Sequence, residues 1–311
     1  MSAVPEPALG ESGRNRHSGR RLSSRRRFTA LALAPALVML VALSLPPTIG
    51  VIGLAFRNAS LLSPTSRWIG FGNFVLLWGD RRFFNSLEVS IIWEIVTVSG
   101  TMILAILLGI LIFERVRGGL RDIICLALIL PILMPRVSAG LIWRFMYSPL
   151  MGVVNYPFQL AGLQPIEFLS RPSLALYAVA IVDVWQWGLF FAVIVLKLLE
   201  SLPAGPLEAA RLDRAASWEV HWFVSLPMLR PPLVTMAFVK AIESLRSFDL
   251  IYAMTGGGPG IATETLDLYV YQRGFAMSGQ ISYAAAMSVL LLVVSTLAFS
   301  VLWKLTQLWS R

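Results

Sequence analysis

The chain has one cysteine, two histidines and fewer acidic than basic residues, and each shortage removes a class of activity. A single thiol, Cys125, cannot close an intrachain disulfide or build a cysteine-based metal site. Inside an apolar run it reads as a small buried hydrophobe. His17 and His221 stand apart, without HExxH or a comparable ligand spacing, so no metal site is expected. There is no GxSxG elbow, no GxxxxGK[ST] loop and no pair of carboxylates in a recognisable acid/base arrangement. No catalytic residue is expected, and the chain is not expected to bind or hydrolyse ATP itself.

What it has in excess is apolar surface. Over 311 residues it is 57% hydrophobic, with a mean hydropathy of +0.72, too apolar for a soluble domain. A helix needs roughly 20 apolar residues to cross a bilayer. Six stretches qualify, at about 28–56, 88–113, 120–147, 173–199, 228–254 and 281–308, so the expected fold is an all-α polytopic membrane protein of six helices. An even number of crossings leaves both termini on one side. The net charge of +9 collects there: Arg14 to Arg27 in the tail, Arg115, Arg117 and Arg121 after the second span, and Lys197, Arg211, Arg214 and Arg230 after the fourth. By the positive-inside rule both termini are cytoplasmic, and the charge reads as topology and contact with anionic lipid rather than nucleic-acid binding. Residues 1–27, rich in Arg and Ser without apolar periodicity, are expected to be a disordered tail, and 28–311 the membrane domain. The first span is too long for a cleaved signal core and reads as an uncleaved anchor.

Along the chain, Pro35, Pro46 and Pro47 are expected to bend the first span, and Pro131 and Pro135 the third. The stretch Trp68 to Phe74 is either an interfacial aromatic anchor or a contact for an extracytoplasmic partner. Thr101, Ala105 and Gly109 form a small-residue stripe on the second span, a packing signal. In the third, Arg144 beside Trp143 and Tyr147 reads as a snorkelling interfacial residue, whereas Arg136 sits deeper and needs a partner or water.

The segment out of place is Gly205–Pro232, a polar and helical island between two apolar spans. Glu208, Ala209, Ala210, Arg211 and Leu212 favour helix, Pro206 suits a first turn, and Leu226-Pro227 with Pro231-Pro232 closes the unit. The coupling loop as a whole is set at 200–227. On the span before it, Asp183, Gln186, Trp187 and Phe190 share one helical face; on the span after it, Lys240, Glu243, Ser244 and Ser247 do the same. Intramembrane polar residues face a bundle interior or an aqueous cavity, and polar groups interleaved with rings suit a carbohydrate. These faces are the candidate solute path. The alternative is structural: Lys240 with Glu243, and Arg246 with Asp249, stand three apart and can neutralise one another. Thr255 to Gly260 is Gly-rich, but no Lys-Ser/Thr follows at phosphate-loop spacing; Gly256, Gly257, Gly258 and Pro259 are either an outer turn or a docking site for an external partner. An ion-coupled carrier is the reading from another class; it would show internal repeats and a midplane ion site, and neither is evident.

Glu208-Ala209-Ala210 with the later Leu226-Pro227 resembles the EAA loop of permeases from binding-protein-dependent ABC importers. Gly70 to Phe74, Leu130 to Pro135 with Gly140 to Trp143, and Phe248 to Tyr252 running into Thr255 to Pro259 resemble the carbohydrate-uptake branch, and the last is similar to the first of its two permease subunits. The resemblance runs from about Phe28 to the end. It implies a bacterial plasma-membrane complex with a second homologous permease, two ATPase subunits that bind Mg-ATP, and an extracytoplasmic solute-binding protein or lipoprotein. It implies import of a sugar, or of a sugar phosphate, glycerol 3-phosphate or polyol. It also implies motor docking through Glu208, Ala209, Ala210, Asp213, Arg214, Leu226 and Pro227. Two positions depart from the pattern: Arg214 stands at the family's glycine, and Arg136 where the family often has a second proline.

Overall fold

The computed structural model describes residues 15–309 and is mostly helical. Residues 1–14, half of the expected tail, lie outside the described residues. From Asn15 the described chain is helical and runs into the first apolar segment as α1 (Asn15–Ala55), with Pro35, Pro46 and Pro47 inside it. Arginine is a good helix former, and extending a helix costs far less than nucleating one. The chain forms two compact units, Met1–Gly53 and Leu54–Arg311.

The second unit opens on a two-stranded antiparallel hairpin, β1 (Arg57–Ser60) and β2 (Ser63–Trp68), pairing Arg57 with Trp68 and Ser60 with Ser63. An all-helical chain was expected; this polar segment has no apolar stripe to bury as a helix, and it pairs with itself. Ala59 N–H donates to Ser282 Oγ at 2.9 Å and Leu61 N–H to the Gly279 carbonyl at 2.8 Å, which fixes the hairpin. The short α2 (Gly72–Trp78) follows. Asn73 is buried because its amide donates to the carbonyls of Ala55 and Arg57, at 2.7 and 2.8 Å, satisfying acceptors left free at the end of α1. Trp68, Phe71 and Phe74 pack on the ring of Phe56, with Trp68 and Phe71 largely exposed.

α3 (Arg81–Arg115) and α7 (Pro172–Glu200) make the central pair. The small-residue stripe is what lets them meet: Thr101, Ala105 and Gly109 are buried, and a Cβ placed on Gly109 would stand 2.7 Å from Val195 Cγ1. Gly188 of α7 lies as tightly against Leu104. In lipid, where burial gives no hydrophobic gain, such close approach is a main source of helix association.

The expected third span is a broken one. α4 (Gly119–Leu133) and α5 (Arg136–Met146) meet at 98° across Met134 and Pro135, as the proline positions required. α6 (Tyr156–Leu160) is a short connector. After α7 come α8 (Ala204–Leu212), α9 (Ser217–Val220), a π-helical turn over His221–Ser225, and α10 (Leu226–Met228). The Ser217–Met228 helix then bends by 74° into α11 (Arg230–Ser244). Pro227, Pro231 and Pro232 lack the N–H that a straight continuation needs. The expected fifth span is also interrupted at 245–247 before α12 (Phe248–Met254). α13 (Leu266–Tyr271), a second π-helical turn (Gln272–Ala276) and α14 (Ile281–Trp309) complete the chain. Among the described residues, three helices are long and apolar enough to cross a membrane alone, or up to five if each bent pair is one crossing; the apolar stretch Ile281–Leu297 of α14 is shorter.

Candidate solute path and coupling segment

The polar faces of α7 and α11 meet, but not as the spacing suggested. Lys240 does not pair with Glu243 on its own helix. Its ammonium lies 2.6 Å from Asp183 Oδ2, and neither side chain has any exposed surface. The other carboxylate oxygen of Asp183 accepts from Arg136, at the start of α5. Arg136 also reaches Glu243 at 3.4 Å. Two cations and two anions thus alternate across three helices, and the deep arginine has found the partner that its depth demanded. Arg246 and Asp249 are both exposed and form no ion pair with each other, while the Arg246 carbonyl accepts from Arg136.

Around the pair the other acceptors and donors are supplied locally. Lys240 donates to Ser244 Oγ at 3.0 Å, Ser244 meets Thr97 of α3 at 2.9 Å, and the Trp93 indole N–H donates to the Ser244 carbonyl. Trp187 lies under the ammonium, 5.5 Å from ring centre to nitrogen, a cation–π geometry. Gln186 turns to the break between α4 and α5, donating to the carbonyls of Pro131 and Met134 at 3.0 and 3.3 Å. A broken membrane helix needs such a donor, because its freed carbonyls find no water. Of the eight path candidates, Asp183, Gln186, Lys240, Ser244 and Ser247 are buried within this chain. Trp187, Phe190 and Glu243 keep part of their surface open. Phe190 packs its ring against Trp187 and Phe191.

At the other end of α7, the coupling segment turns in a way the sequence left open. α8 closes with a paired terminus: Ala215 N–H donates to the Ala210 carbonyl at 3.1 Å, and Arg214 N–H to the Arg211 carbonyl at 3.0 Å. These are the two bonds of a Schellman motif, and the residue between them must be left-handed. Arg214 is that residue, with φ of 61°. A left-handed turn thus closes α8 with a side chain on it, at the position where the resemblance puts a glycine. Leu207 is buried, Ala210 half-buried, and Glu208, Ala209, Asp213 and Arg214 are exposed. Leu226 and Pro227 sit half-buried where α10 begins. The Glu219 carboxylate accepts from Ala216 N–H at 2.8 Å and starts α9.

The Gly-rich loop is tied down on its inner side. Thr263 Oγ1 donates to the Gly258 carbonyl at 2.8 Å and meets Thr255 Oγ1 at 2.7 Å, while Gln272 reaches the Gly256 carbonyl. Gly256 is exposed, Gly257 is buried, and Gly258 and Pro259 are half-buried. Gly258 and Pro259 form one wall of a concavity of about 400 Å³ whose other walls include Arg144, Tyr147, Glu167 and Phe168. Beside the loop, Glu264 is 1% exposed, bound by Arg82 through two nitrogens and by Ser86 at 3.0 Å. Asp80 caps α3 by accepting from Arg82 and Phe83 N–H, and also accepts from the hydroxyls of Tyr269 and Tyr283 at 2.5 and 2.6 Å. Burial pushes its pKa up, but these four donors hold it below the ordinary carboxylate value. Burial and the same carboxylate push the Tyr269 phenol up to about 12.

The sequence shows that Arg136 needs a partner but not that Asp183 is it, and the pairs Arg82–Glu264 and His221–Glu114 are hidden in it, because each joins segments far apart in the chain.

The profile of the family described as "Binding-protein-dependent transport system inner membrane component" matches residues 101–305. A trehalose/maltose transport system permease of Thermococcus litoralis is 28% identical over 273 residues, covering 88% of this chain and 91% of the relative. A lactose transport system permease of Rhizobium radiobacter is 30% identical, covering 86% and 91%. An sn-glycerol-3-phosphate transport system permease of Agrobacterium fabrum is 29% identical, covering 85% and 89%. Among solved structures, a chain of a bacterial ABC transporter importing alginate superposes with a TM-score of 0.81 over 93% of this chain and 98% of its own length, at 21% identity.

Proposed function

Since the chain belongs to the family of binding-protein-dependent transport system inner membrane components, we propose that it forms one half of the translocation path of an ATP-driven importer of a sugar or sugar-like solute. Sugar and glycerol-3-phosphate permeases match it over 85–88% of its length, which supports the solute class. The observation that carries the mechanism is the position of α8. Its exposed Glu208-Ala209 surface is joined directly to α7 and, through the bent Ser217–Met228 helix, to α11, the two helices that share the Asp183–Lys240 pair. A body docked on α8 has a covalent hold on both sides of the polar path, and rigid-body closure outside the membrane becomes rocking of the spans within it.

In this reading both termini and α8 face the cytoplasm. Six crossings form the domain, with α14 as the sixth. The partners are a second homologous permease, two ATPase subunits that bind Mg-ATP, and an extracytoplasmic solute-binding protein that approaches the Gly256–Pro259 loop. Solute meets the open surfaces of Trp187, Phe190 and Glu243, where ring faces and a carboxylate suit hydroxyl groups. A phosphorylated solute is the second choice: it needs free positive charge, and the cations nearest the path, Lys240 and Arg136, are already paired to Asp183.

The test is uptake into inverted and right-side-out vesicles carrying the whole complex, with maltose, lactose and glycerol 3-phosphate as probes. Uptake is expected to require both ATP and the binding protein. Uptake driven by an ion gradient without ATP overturns the reading in favour of a carrier.

A further inference from the structure

We propose that His221 is a positioning residue that makes the coupling segment and the inner end of α3 move as one body, an inference that rests on the importer reading above. α8 packs on α9 and on the π-helical turn, so a displacement of α8 is passed first to that turn. The turn begins at His221, which is 4% exposed although the residues after it, Trp222 and Phe223, are largely open. Its Nε2 lies 2.8 Å from Glu114 Oε1, at the last turn of α3. A carboxylate only accepts, so Nε2 carries the hydrogen and donates.

The imidazole is held from two further directions, and its carboxylate partner from one more. Nδ1 lies 3.2 Å from Ser225 Oγ, one turn on; the ring edge meets Phe113 of α3 with centroids 5.9 Å apart; and Ser217 Oγ donates to the other oxygen of Glu114 at 3.5 Å. His221 and Ser225 stand four residues apart and so share one helical face, and the π-helical turn they bound is a feature found frequently at functional sites. Glu114 thereby receives hydrogen bonds from two points on the coupling segment, four residues apart. That is a clamp on the end of α3, the helix that packs most extensively on α7.

The experiment uses the assembled complex of this chain with its partner permease and ATPase subunits in nanodiscs. Spin labels go on Gly205→Cys, where added side-chain atoms meet nothing, and on the exposed Leu111→Cys of α3, in a Cys125→Ala background. With His221 intact, the distance between the labels is expected to stay the same on trapping with ATP and vanadate. In His221→Ala it is expected to shift on trapping, and in His221→Gln, which keeps an N–H donor, the shift is expected to be lost again. A nucleotide-dependent shift with His221 intact, no shift in His221→Ala, or a shift in His221→Gln equal to that of His221→Ala overturns the clamp. Failure of the ATPase subunits to co-purify with the unaltered chain overturns the importer reading, and the clamp with it; co-purification separates that failure from the others.

Discussion

Lys240 and Asp183 form an ion pair at 2.6 Å with no exposed side-chain surface on either partner. The two residues are not equivalent, because Asp183 also binds Arg136, whereas Lys240 binds one carboxylate. Asp183→Asn removes the carboxylate that Lys240 pairs with and leaves Arg136 only its 3.4 Å contact with Glu243. Lys240→Met leaves Asp183 still paired to Arg136. Breaking a buried pair costs about 3–5 kcal/mol when it strands a charge, so Asp183→Asn is expected to lose that much stability in a detergent unfolding assay and Lys240→Met clearly less. Equal losses would mean that Arg136 contributes nothing to holding Asp183.

The apolar runs made the membrane class legible, because a long uninterrupted hydrophobic segment can do little else; that α3 packs on α7 was not. The stripe Thr101, Ala105 and Gly109 also gave its packing role away by spacing alone. The breaks were harder. Pro131 and Pro135 announced one, but its 98° angle depends on Gln186 arriving from another helix to satisfy Pro131 and Met134. The hairpin at Arg57–Trp68 was invisible, since its anchors, Ser282 and Gly279, lie more than 200 residues on. The spacing rule mispaired Lys240 with Glu243 because helical neighbours compete with partners across an interface, and Asp183 won.

The stripe itself gives a packing test. Gly109 approaches Val195 so closely that a larger side chain must push α3 and α7 apart. Overpacking of this kind costs typically about 1–3 kcal/mol. Gly109→Leu is expected to lower the unfolding midpoint, and Val195→Ala in the same chain to recover part of it, since the clash is with that side chain. Failure of the second change to recover anything would place the strain elsewhere.

Arg214 holds a left-handed backbone at the end of α8, a conformation that costs an L-residue roughly 1–2 kcal/mol and glycine almost nothing. Arg214→Gly is therefore expected to raise stability by about 0.5–1 kcal/mol, the strain relief being partly offset by a more flexible unfolded chain. Arg214→Val is expected to lose stability, because a branched Cβ fits this region worst. The order Gly above Arg above Val in thermal midpoint checks the geometry without reference to transport.

Asp80 sets a pH limit on the amino-terminal end of α3. Its folded pKa is depressed, so its contribution to stability is present above the unfolded carboxylate value and is lost as pH falls through the folded one. The unfolding midpoint is expected to be flat near neutrality and to drop in the acid range, below about pH 4. Asp80→Asn is expected to be less stable at neutral pH and to show a shallower acid drop. An unchanged acid profile in Asp80→Asn would assign the drop to other carboxylates.

Glu208 and Ala209 are exposed at the surface of α8 while Leu207 beside them is buried, so the two can be changed without disturbing the packing of the segment. Surface substitutions of this kind usually alter stability by no more than about 0.5 kcal/mol. If that surface is where the motor docks, Glu208→Lys reverses its charge and Ala209→Asp inserts a carboxylate where close approach is needed, and either is expected to abolish ATP-dependent uptake at an unchanged unfolding midpoint. Leu207→Ala is the contrasting change: it removes a buried anchor of α8 and is expected to lower stability and uptake together. The separation of the two effects is the informative outcome. Uptake that survives Glu208→Lys and Ala209→Asp in full would take the coupling role away from α8, whatever the sequence motif suggests.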